Sequence, residues 1–245
     1  MIDSALIVQL VAAVFFLVVG IRLIMLSWRT GETPEKLLGA YFVFTGLAYV
    51  LWQLPLYFEQ AMTGNPIDLV SWALYCVGVI PFVLFARLVF RPEIAWATGL
   101  VRFCIVALVA GMTAWIVQGE EYYVFQNPWY WAVWLGYSIP CLWFAIEAFL
   151  CHASAKRRVR IGLCDHVVAN RYLLFALFGV FQTSACFNDL ATTPMETSLA
   201  FQRTMASVTG AIEMCGIVTL FLAFFPPVFY QRWLESATVP ESIEG

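Results

Sequence analysis

The sequence contains few charged residues. Asp, Glu, Lys and Arg make up only 12% of its 245 residues, whereas soluble globular domains carry about 25%. Hydrophobic residues account for 62% of the chain, and the mean hydropathy is +0.82. This shortage of charge excludes a soluble surface and indicates that the lipid bilayer surrounds most of the protein.

Histidine and lysine are also scarce, which excludes several kinds of cofactor chemistry. The two histidines, His152 and His166, are predicted near one membrane surface, and no CxxC pair is present. Haem and zinc sites need clustered or facing ligands, so we expect no metal and no cofactor. The two lysines, Lys36 and Lys156, lie in predicted loops, where neither can form the Schiff base of a late-helix retinal site.

Sequence motifs for other chemistry are missing as well. The chain contains no HExxH, no GxSxG and no phosphate-binding glycine loop. It also has no nucleic-acid motif, so nucleic acid is not expected as a partner. No set of nucleophile, base and orienting residue can be assembled, which argues against an enzyme.

Seven long apolar stretches predict an all-α fold. Each supplies the ~20 residues that cross roughly 30 Å of hydrocarbon as a helix, and lipid offers no hydrogen bonds to an unpaired backbone. We therefore predict a single seven-helix transmembrane domain over residues 1–233, followed by a short tail over 234–245. The predicted spans lie near 5–28, 37–57, 68–90, 95–117, 128–151, 171–189 and 199–225.

The basic residues between the spans predict the orientation. They occur in the first, third and fifth loops, whereas the second, fourth and sixth loops carry none. Short loops rich in Lys and Arg stay in the cytoplasm. The N-terminus is thus expected outside and the C-terminus inside, in the inner (plasma) membrane of the cell. The basic residues of these loops are Arg29, Lys36, Arg91, Lys156, Arg157, Arg158 and Arg160.

Tryptophan is abundant near the predicted outer ends of the helices. Six of the ten lie there, as expected of an aromatic belt at the headgroup level. The run from Asn127 to Trp134 carries four aromatic residues in six positions, more than the anchoring of one helix requires. This run is the better candidate for stacking on a ligand.

Ionisable residues inside the spans are the strongest functional candidates, because each costs roughly 3 kcal/mol near the bilayer centre. Glu213 is predicted about halfway along the seventh helix, with Arg203 closer to the outside. On the sixth helix, Gln182 and Asp189 share a face, and Asn188 is adjacent. The short loop between these helices makes an Arg203 to Asp189 ion pair plausible.

Three interpretations of these polar residues remain open. In the first they hold the bundle together, with Asp189 neutralising Arg203 and Glu213 either staying protonated or pairing with Arg102 of the fourth helix. In the second they line an outward-facing polar pocket, joined by Gln53 of the second helix. In the third, Glu213 lies on a proton or ion path.

Two segments resemble known sequences. The first is RTGETPEKLLGAYFVFTG, residues 29–46, and the second is GLCDHVVANRYLLFAL, residues 162–177. They are similar to RT..PE..LG and GLaDPvvaNRfLLW patterns of uncharacterised bacterial seven-helix integral membrane proteins. The resemblance implies the topology, and the set has no established activity to transfer. The matching positions are Arg29, Thr30, Pro34, Glu35, Gly39, Asp165, Asn170 and Arg171, and His166 replaces the expected proline.

The second segment has a physical interpretation. Asp165 is predicted to cap the N-terminus of a long sixth helix, where a carboxylate meets the positive end of the helix dipole. Asn170 would then lie at the inner headgroup boundary, able to bond the first loop or a partner. We expect a structural latch that joins Arg29 or Glu35 to Arg171 or Asp165.

Two functions from different classes are compatible with these features. A receptor-like or sensory module would bind a small-molecule ligand in a polar pocket between helices 6 and 7. It would signal through a separate cytoplasmic or membrane partner, because the predicted tail is short. A small transporter or channel would instead use Glu213 at the bilayer midplane.

The orientation can be tested by cysteine labelling in intact cells. A cysteine introduced at Glu120 is expected to react with a membrane-impermeant maleimide, whereas one at Arg158 reacts only after the membrane is permeabilised. The unsubstituted chain, with its seven native cysteines, supplies the background. The reverse labelling pattern would contradict the predicted orientation.

Overall fold

The computed structural model describes residues 4–57, 66–118, 127–192, 199–230 and 232. In those residues the chain forms seven α-helices and no strand, and each helix contains a segment long and apolar enough to cross a membrane. This confirms the all-α class and the number of spans. The helices are α1 Ser4–Thr30, α2 Thr33–Tyr57, α3 Pro66–Phe90, α4 Ala95–Gln118, α5 Pro128–Arg160, α6 His166–Thr192 and α7 Leu199–Phe224.

Three helices extend beyond the predicted apolar spans by about one turn or more. α2 begins at Thr33, α6 begins at His166, and α5 continues to Arg160. The basic residues assigned to the fifth loop therefore lie on the last turns of α5. The predicted spans were set by apolar length alone. Alanine and basic residues also favour helix, and cations stabilise a helix C-terminus through its dipole. A helix can therefore continue beyond its apolar span.

Local capping fixes several helix ends. The Asn127 side chain accepts a hydrogen bond from the Trp129 N–H at 3.0 Å, and Pro128 is the first helical residue of α5. At the start of α6, Asp165 Oδ1 accepts from the Val167 N–H at 2.9 Å, which confirms the predicted cap. Gly31 has φ of 75°, a backbone conformation that ends α1 and permits a two-residue connection to α2.

The helices form a closed ring in chain order. Each packs against the next, and α1 packs against α7. Short connections make sequential helices antiparallel, whereas α1 and α7 are parallel: Gln9 lies against Gly210, and Phe15 against Phe221. We call the end that carries the N-terminus of α1 the amino end, and the opposite end the carboxyl end.

A cluster of aromatic rings fills the interior on the carboxyl side of the middle. Tyr41 of α2 contacts Phe82 of α3 at a centroid distance of 4.7 Å, and Phe42 of α2 contacts Phe178 of α6. Phe144 of α5 packs between them, 5.2 Å from Phe82 and also in contact with Phe178. All five side chains are fully buried. We call this group the phenylalanine cluster; it leaves polar side chains to the middle and amino half of the interior.

Close packing of α5 on α6 depends on one glycine. A Cβ at Gly179 would lie 2.7 Å from Ala145 Cα and 2.8 Å from Ala145 N. Since the obstructing atoms belong to backbone, the helices would have to separate to admit a side chain. Gly99 of α4 provides a contrast, because a Cβ there meets no atom within 4 Å.

Substitution of Gly179 by Ala is expected to destabilise the bundle. Overpacking of this kind costs about 1–3 kcal/mol, so the unfolding temperature in detergent should fall. Gly99→Ala is the matched control, and it should leave that temperature unchanged or raise it slightly, since alanine favours helix. An equal response of the two variants would contradict the close contact between α5 and α6.

Candidate functional site

Glu213 lies in the middle of α7 and faces the interior. Its carboxyl group is buried, with the residue 2% exposed, and Oε1 accepts a hydrogen bond from the Tyr49 hydroxyl of α2. The other oxygen, Oε2, has no hydrogen-bond partner among the described residues. Arg102 does not meet Glu213, because it lies on the exposed face of α4, which packs between α3 and α5. The predicted pairing of these two residues is wrong.

A second tyrosine continues the polar contacts toward the phenylalanine cluster. The Tyr41 hydroxyl donates to Gln182 Oε1 of α6 at 3.2 Å. Tyr41, Thr45 and Tyr49 follow one another at four-residue intervals, which places them on one face of α2. Thr45 Oγ1 lies beside Tyr41 but has no partner with good hydrogen-bond geometry. The sequence analysis identified Gln182 and missed both tyrosines.

Two glycines give neighbouring helices access to Glu213. Gly210 and Gly216 stand one turn before and after it on α7. A Cβ at Gly210 would be 3.3 Å from Gln9 Cγ of α1, and one at Gly216 would be 3.5 Å from Gln182 Nε2. Both glutamines therefore approach α7 beside the carboxyl group. We call the resulting set the polar layer: Gln9, Tyr41, Thr45, Tyr49, Gln182 and Glu213.

A small cavity lies between the polar layer and the amino end. Its volume is 60 Å³, room for a few water molecules or a small organic group. Four of the eight lining side chains are aromatic, and Tyr49 belongs to both the cavity and the polar layer. We call it the amino-end cavity; it is lined by Ala48, Tyr49, Trp52, Ser71, Trp72, Tyr75, Asp189 and Thr209.

The polar side of this cavity comes from α6 and α7. Asn188 Nδ2 donates to Thr209 Oγ1 at 2.8 Å, and the Thr209 side chain also interacts with Asp189. Of the residues predicted for a pocket between these helices, Asp189 lines the cavity and Asn188 holds Thr209 of its wall. The cavity extends further than predicted, because α2 and α3 supply most of its wall. Gln53 is buried but does not line the cavity.

The predicted pair between Arg203 and Asp189 stays a prediction. Arg203 belongs to α7, but its side chain lies outside the part of the chain that the structure describes. Asp189 makes at least one further interaction. Its carboxyl group is therefore held in a defined environment at the cavity edge.

Two tryptophans of the amino half pack inward, whereas Trp129 is 41% exposed, as the predicted belt requires. Trp115 and Trp134 are buried, and the Trp134 Nε1–H donates to the Cys186 carbonyl at 3.1 Å. Trp72 contacts Trp115 at a centroid distance of 6.1 Å. A buried indole is stable where its N–H finds an acceptor. At the carboxyl end, in contrast, Trp28 is 78% exposed, which fits a headgroup anchor.

An ion pair that the sequence analysis missed lies at the carboxyl end. Arg91 Nε donates to Glu147 Oε1 at 2.9 Å, and the Trp143 Nε1–H donates to the same oxygen at 3.3 Å. The hydrogen bond and charge of Glu147 raise the pKa of Arg91 above its ordinary value. The partners are 56 residues apart in sequence, so no local pattern could indicate their contact. This pair fixes the loop after α3 to α5.

The predicted latch between the two motif segments is not formed. Glu35 accepts from the Thr30 hydroxyl at 2.6 Å, and Asp165 caps its own helix. Asn170 Nδ2 donates to the Tyr230 hydroxyl at 2.8 Å, so it holds the segment after α7. Arg29 and Arg171 are exposed and make no ion pair in the described residues. The reason is topological, because α6 packs between α5 and α7, away from the loop between α1 and α2.

Comparison with known proteins gives no assignment. The chain matches no protein-family model, and no curated protein or solved structure shows significant similarity to it. The similarity of its two motif segments to bacterial seven-helix membrane proteins therefore stays an interpretation of short patterns. Any function must be argued from the polar layer and the amino-end cavity.

A double-mutant cycle tests the contact between Tyr49 and Glu213. Tyr49→Phe removes the donor from a buried carboxyl group and should cost about 1.5–3 kcal/mol of unfolding free energy. The same change should cost measurably less in a Glu213→Gln background, because the two residues share one interaction. Tyr41→Phe combined with Glu213→Gln is the control cycle, and it should be closer to additive, since Tyr41 bonds Gln182. Additivity in both cycles would contradict the hydrogen bond.

Proposed function

We propose that this chain is a receptor-like or sensory module that binds a small organic molecule in the amino-end cavity. The observation that carries the proposal is the composition of the cavity wall. Four aromatic side chains surround it, with a few polar groups from α6 and α7 at one side. Small-molecule sites commonly combine an apolar, concave surface with a few polar groups that fix orientation.

The chemistry of the wall favours a small organic cation as the ligand. The faces of Tyr and Trp rings attract ammonium groups, and clusters of such rings recognise methylated amines. Trp52, Trp72 and Tyr75 supply these rings, and Asp189 adds a carboxyl group at the edge. The volume of 60 Å³ favours a compact headgroup over a bulky ligand.

The proposed orientation places the cavity on the outside of the inner (plasma) membrane. The last turns of α5 carry four exposed basic residues at the carboxyl end. Positive charge of this kind is retained in the cytoplasm. A separate cytoplasmic or membrane signalling partner would then meet the carboxyl end, where these residues are available. The four are Lys156, Arg157, Arg158 and Arg160.

A transporter is the second candidate, and Glu213 is the observation that favours it. The carboxyl group lies mid-membrane on α7 and connects to the amino-end cavity through Tyr49. Intramembrane carboxyl groups commonly mark coupling sites. However, the phenylalanine cluster fills the interior on the carboxyl side, so transport would require those rings to separate. The receptor needs no such opening and is therefore the preferred function.

Ligand-dependent stabilisation tests the proposal. Tetramethylammonium chloride is expected to raise the unfolding temperature of the purified protein above that in caesium chloride of equal ionic strength, because a ligand of the folded state stabilises it. Trp52→Leu and Asp189→Asn should each remove most of this shift. Trp96→Leu is the control, since Trp96 is exposed at the carboxyl end. A shift that all three variants retain would contradict binding in the cavity.

Flux measurements separate the two candidates. Proteoliposomes loaded with buffer are expected to bind radiolabelled tetramethylammonium without accumulating it. Accumulation that Glu213→Gln abolishes would instead favour the transporter. Absence of both binding and accumulation, with methylammonium as a second probe, would contradict the proposed ligand class.

A further inference from the structure

The polar layer contains several buried atoms without a hydrogen-bond partner. They belong to α1, α2, α6 and α7, and the parent residues are at most 2% exposed. Each unsatisfied polar atom in such a setting costs about 1–3 kcal/mol. A native interior therefore requires something to bond them. In the described residues the atoms are Gln9 Oε1 and Nε2, Thr45 Oγ1, Gln182 Nε2 and Glu213 Oε2.

The side chains that carry these atoms lie against the middle of α7 or beside residues that contact it. Gln9 and Gln182 reach α7 over Gly210 and Gly216, on the two sides of Glu213 along the helix. Thr45 lies between Tyr49, which binds Glu213, and Tyr41, which binds Gln182, and its Oγ1 is close to Gly78 of α3. Four helices thus contribute unpartnered polar groups to the polar layer. The convergence distinguishes this layer from isolated buried hydroxyls elsewhere.

The chemistry of the layer points to a cation. The set offers a carboxylate, amide oxygens and a hydroxyl, which are the hard oxygen ligands that alkali and alkaline-earth ions prefer. No Lys or Arg side chain pairs with Glu213 in the part of the chain that the structure describes. Glu213 is the ionisable acid of the layer, and Asp189 at the edge of the amino-end cavity is near enough to interact with it electrostatically. The two acids together favour a cation as the missing partner.

We propose that the polar layer binds one sodium ion, with Glu213 as its anionic ligand and Gln9 and Thr45 as neutral oxygen ligands. The ion would enter through the amino-end cavity, whose wall includes Tyr49 next to the carboxyl group. Glycines bring α1 and α6 close to α7. A site this narrow fits sodium better than a larger alkali ion. The inference does not depend on the proposed receptor function, because the three proposed ion ligands do not line the amino-end cavity.

Thermal unfolding of the purified full-length chain tests the site. Sodium chloride is titrated against caesium chloride at constant ionic strength, so that general salt effects cancel. The unfolding temperature is expected to rise with sodium and to saturate, as for a single site. Glu213→Gln should abolish the sodium dependence while preserving the shape of the side chain. Equal unfolding temperatures in the two salts would overturn the proposal, as would a sodium response that survives in Glu213→Gln.

A milder variant keeps the test decisive if Glu213→Gln does not fold. Thr45→Val removes one oxygen with little change of shape and should raise the sodium concentration at half-saturation about tenfold, the equivalent of 1.4 kcal/mol. Ser138→Ala is the matched control, because it also removes a buried hydroxyl without a hydrogen bond, but from α5. An unchanged half-saturation point in Thr45→Val, or an equal shift in Ser138→Ala, would overturn the assignment of the ligands.

Direct binding completes the experiment. Radioactive sodium is expected to bind at one ion per chain and to be displaced by unlabelled sodium but not by caesium. The cavity and the ion site can fail separately. If tetramethylammonium raises the unfolding temperature in a manner that depends on Trp52 but no sodium binds, the receptor proposal stands and the ion site is overturned. If sodium binds but no amine raises the unfolding temperature, the ion site stands and the receptor proposal is overturned.

Discussion

Lipid offers no hydrogen bonds, so every polar group within the bilayer must find its partner inside the protein. Several of the described hydroxyl side chains solve this locally by donating to a carbonyl of the preceding turn, as Thr113 does to Val109 and Ser184 to Val180. Longer amide and carboxyl side chains extend away from their own helix and meet other helices. Glu213 and Gln182 are side chains of this second kind. Their hydrogen bonds to two tyrosines of α2 explain why those tyrosines face α7 and α6.

The polarity of the interior side chains consequently changes along the axis of the helix bundle. The amino half holds the amino-end cavity and the middle holds the polar layer, whereas the phenylalanine cluster fills the space beyond them. Aromatic rings from α2, α3, α5 and α6 pack there in tilted and edge-to-face pairs, with Phe144 and Phe178 at 90°, which excludes water and adds cohesion. From the amino end, hydrogen-bonding groups thus come first, and the apolar rings of the phenylalanine cluster close the interior beyond them.

The features that could be predicted from the sequence are those that depend on neighbouring residues. Apolar length predicted seven spans, and the cap at Asp165 could be predicted from its position directly before the sixth helix. Glu213 could be singled out because a carboxyl group is costly in any membrane helix, but its partner depends on the order of helices in the ring. Arg102 was therefore a wrong choice, and Tyr49 carried no local signal. The ion pair of Arg91 and Glu147 was hidden for the same reason.

The length and the internal proline of α5 have a mechanical consequence. Its 33 residues span about 50 Å at 1.5 Å per residue, well beyond the roughly 30 Å of hydrocarbon. Near the amino end, Tyr137 of this helix touches Trp72 and Tyr75 of the cavity wall, at centroid distances of 5.9 and 5.6 Å. Pro140 lies between Tyr137 and Arg158, and a proline inside a helix removes a backbone hydrogen bond and favours a kink at that point. Movement of α5 at Tyr137 can therefore be taken up by bending at Pro140 before it reaches the charged tip near Arg158.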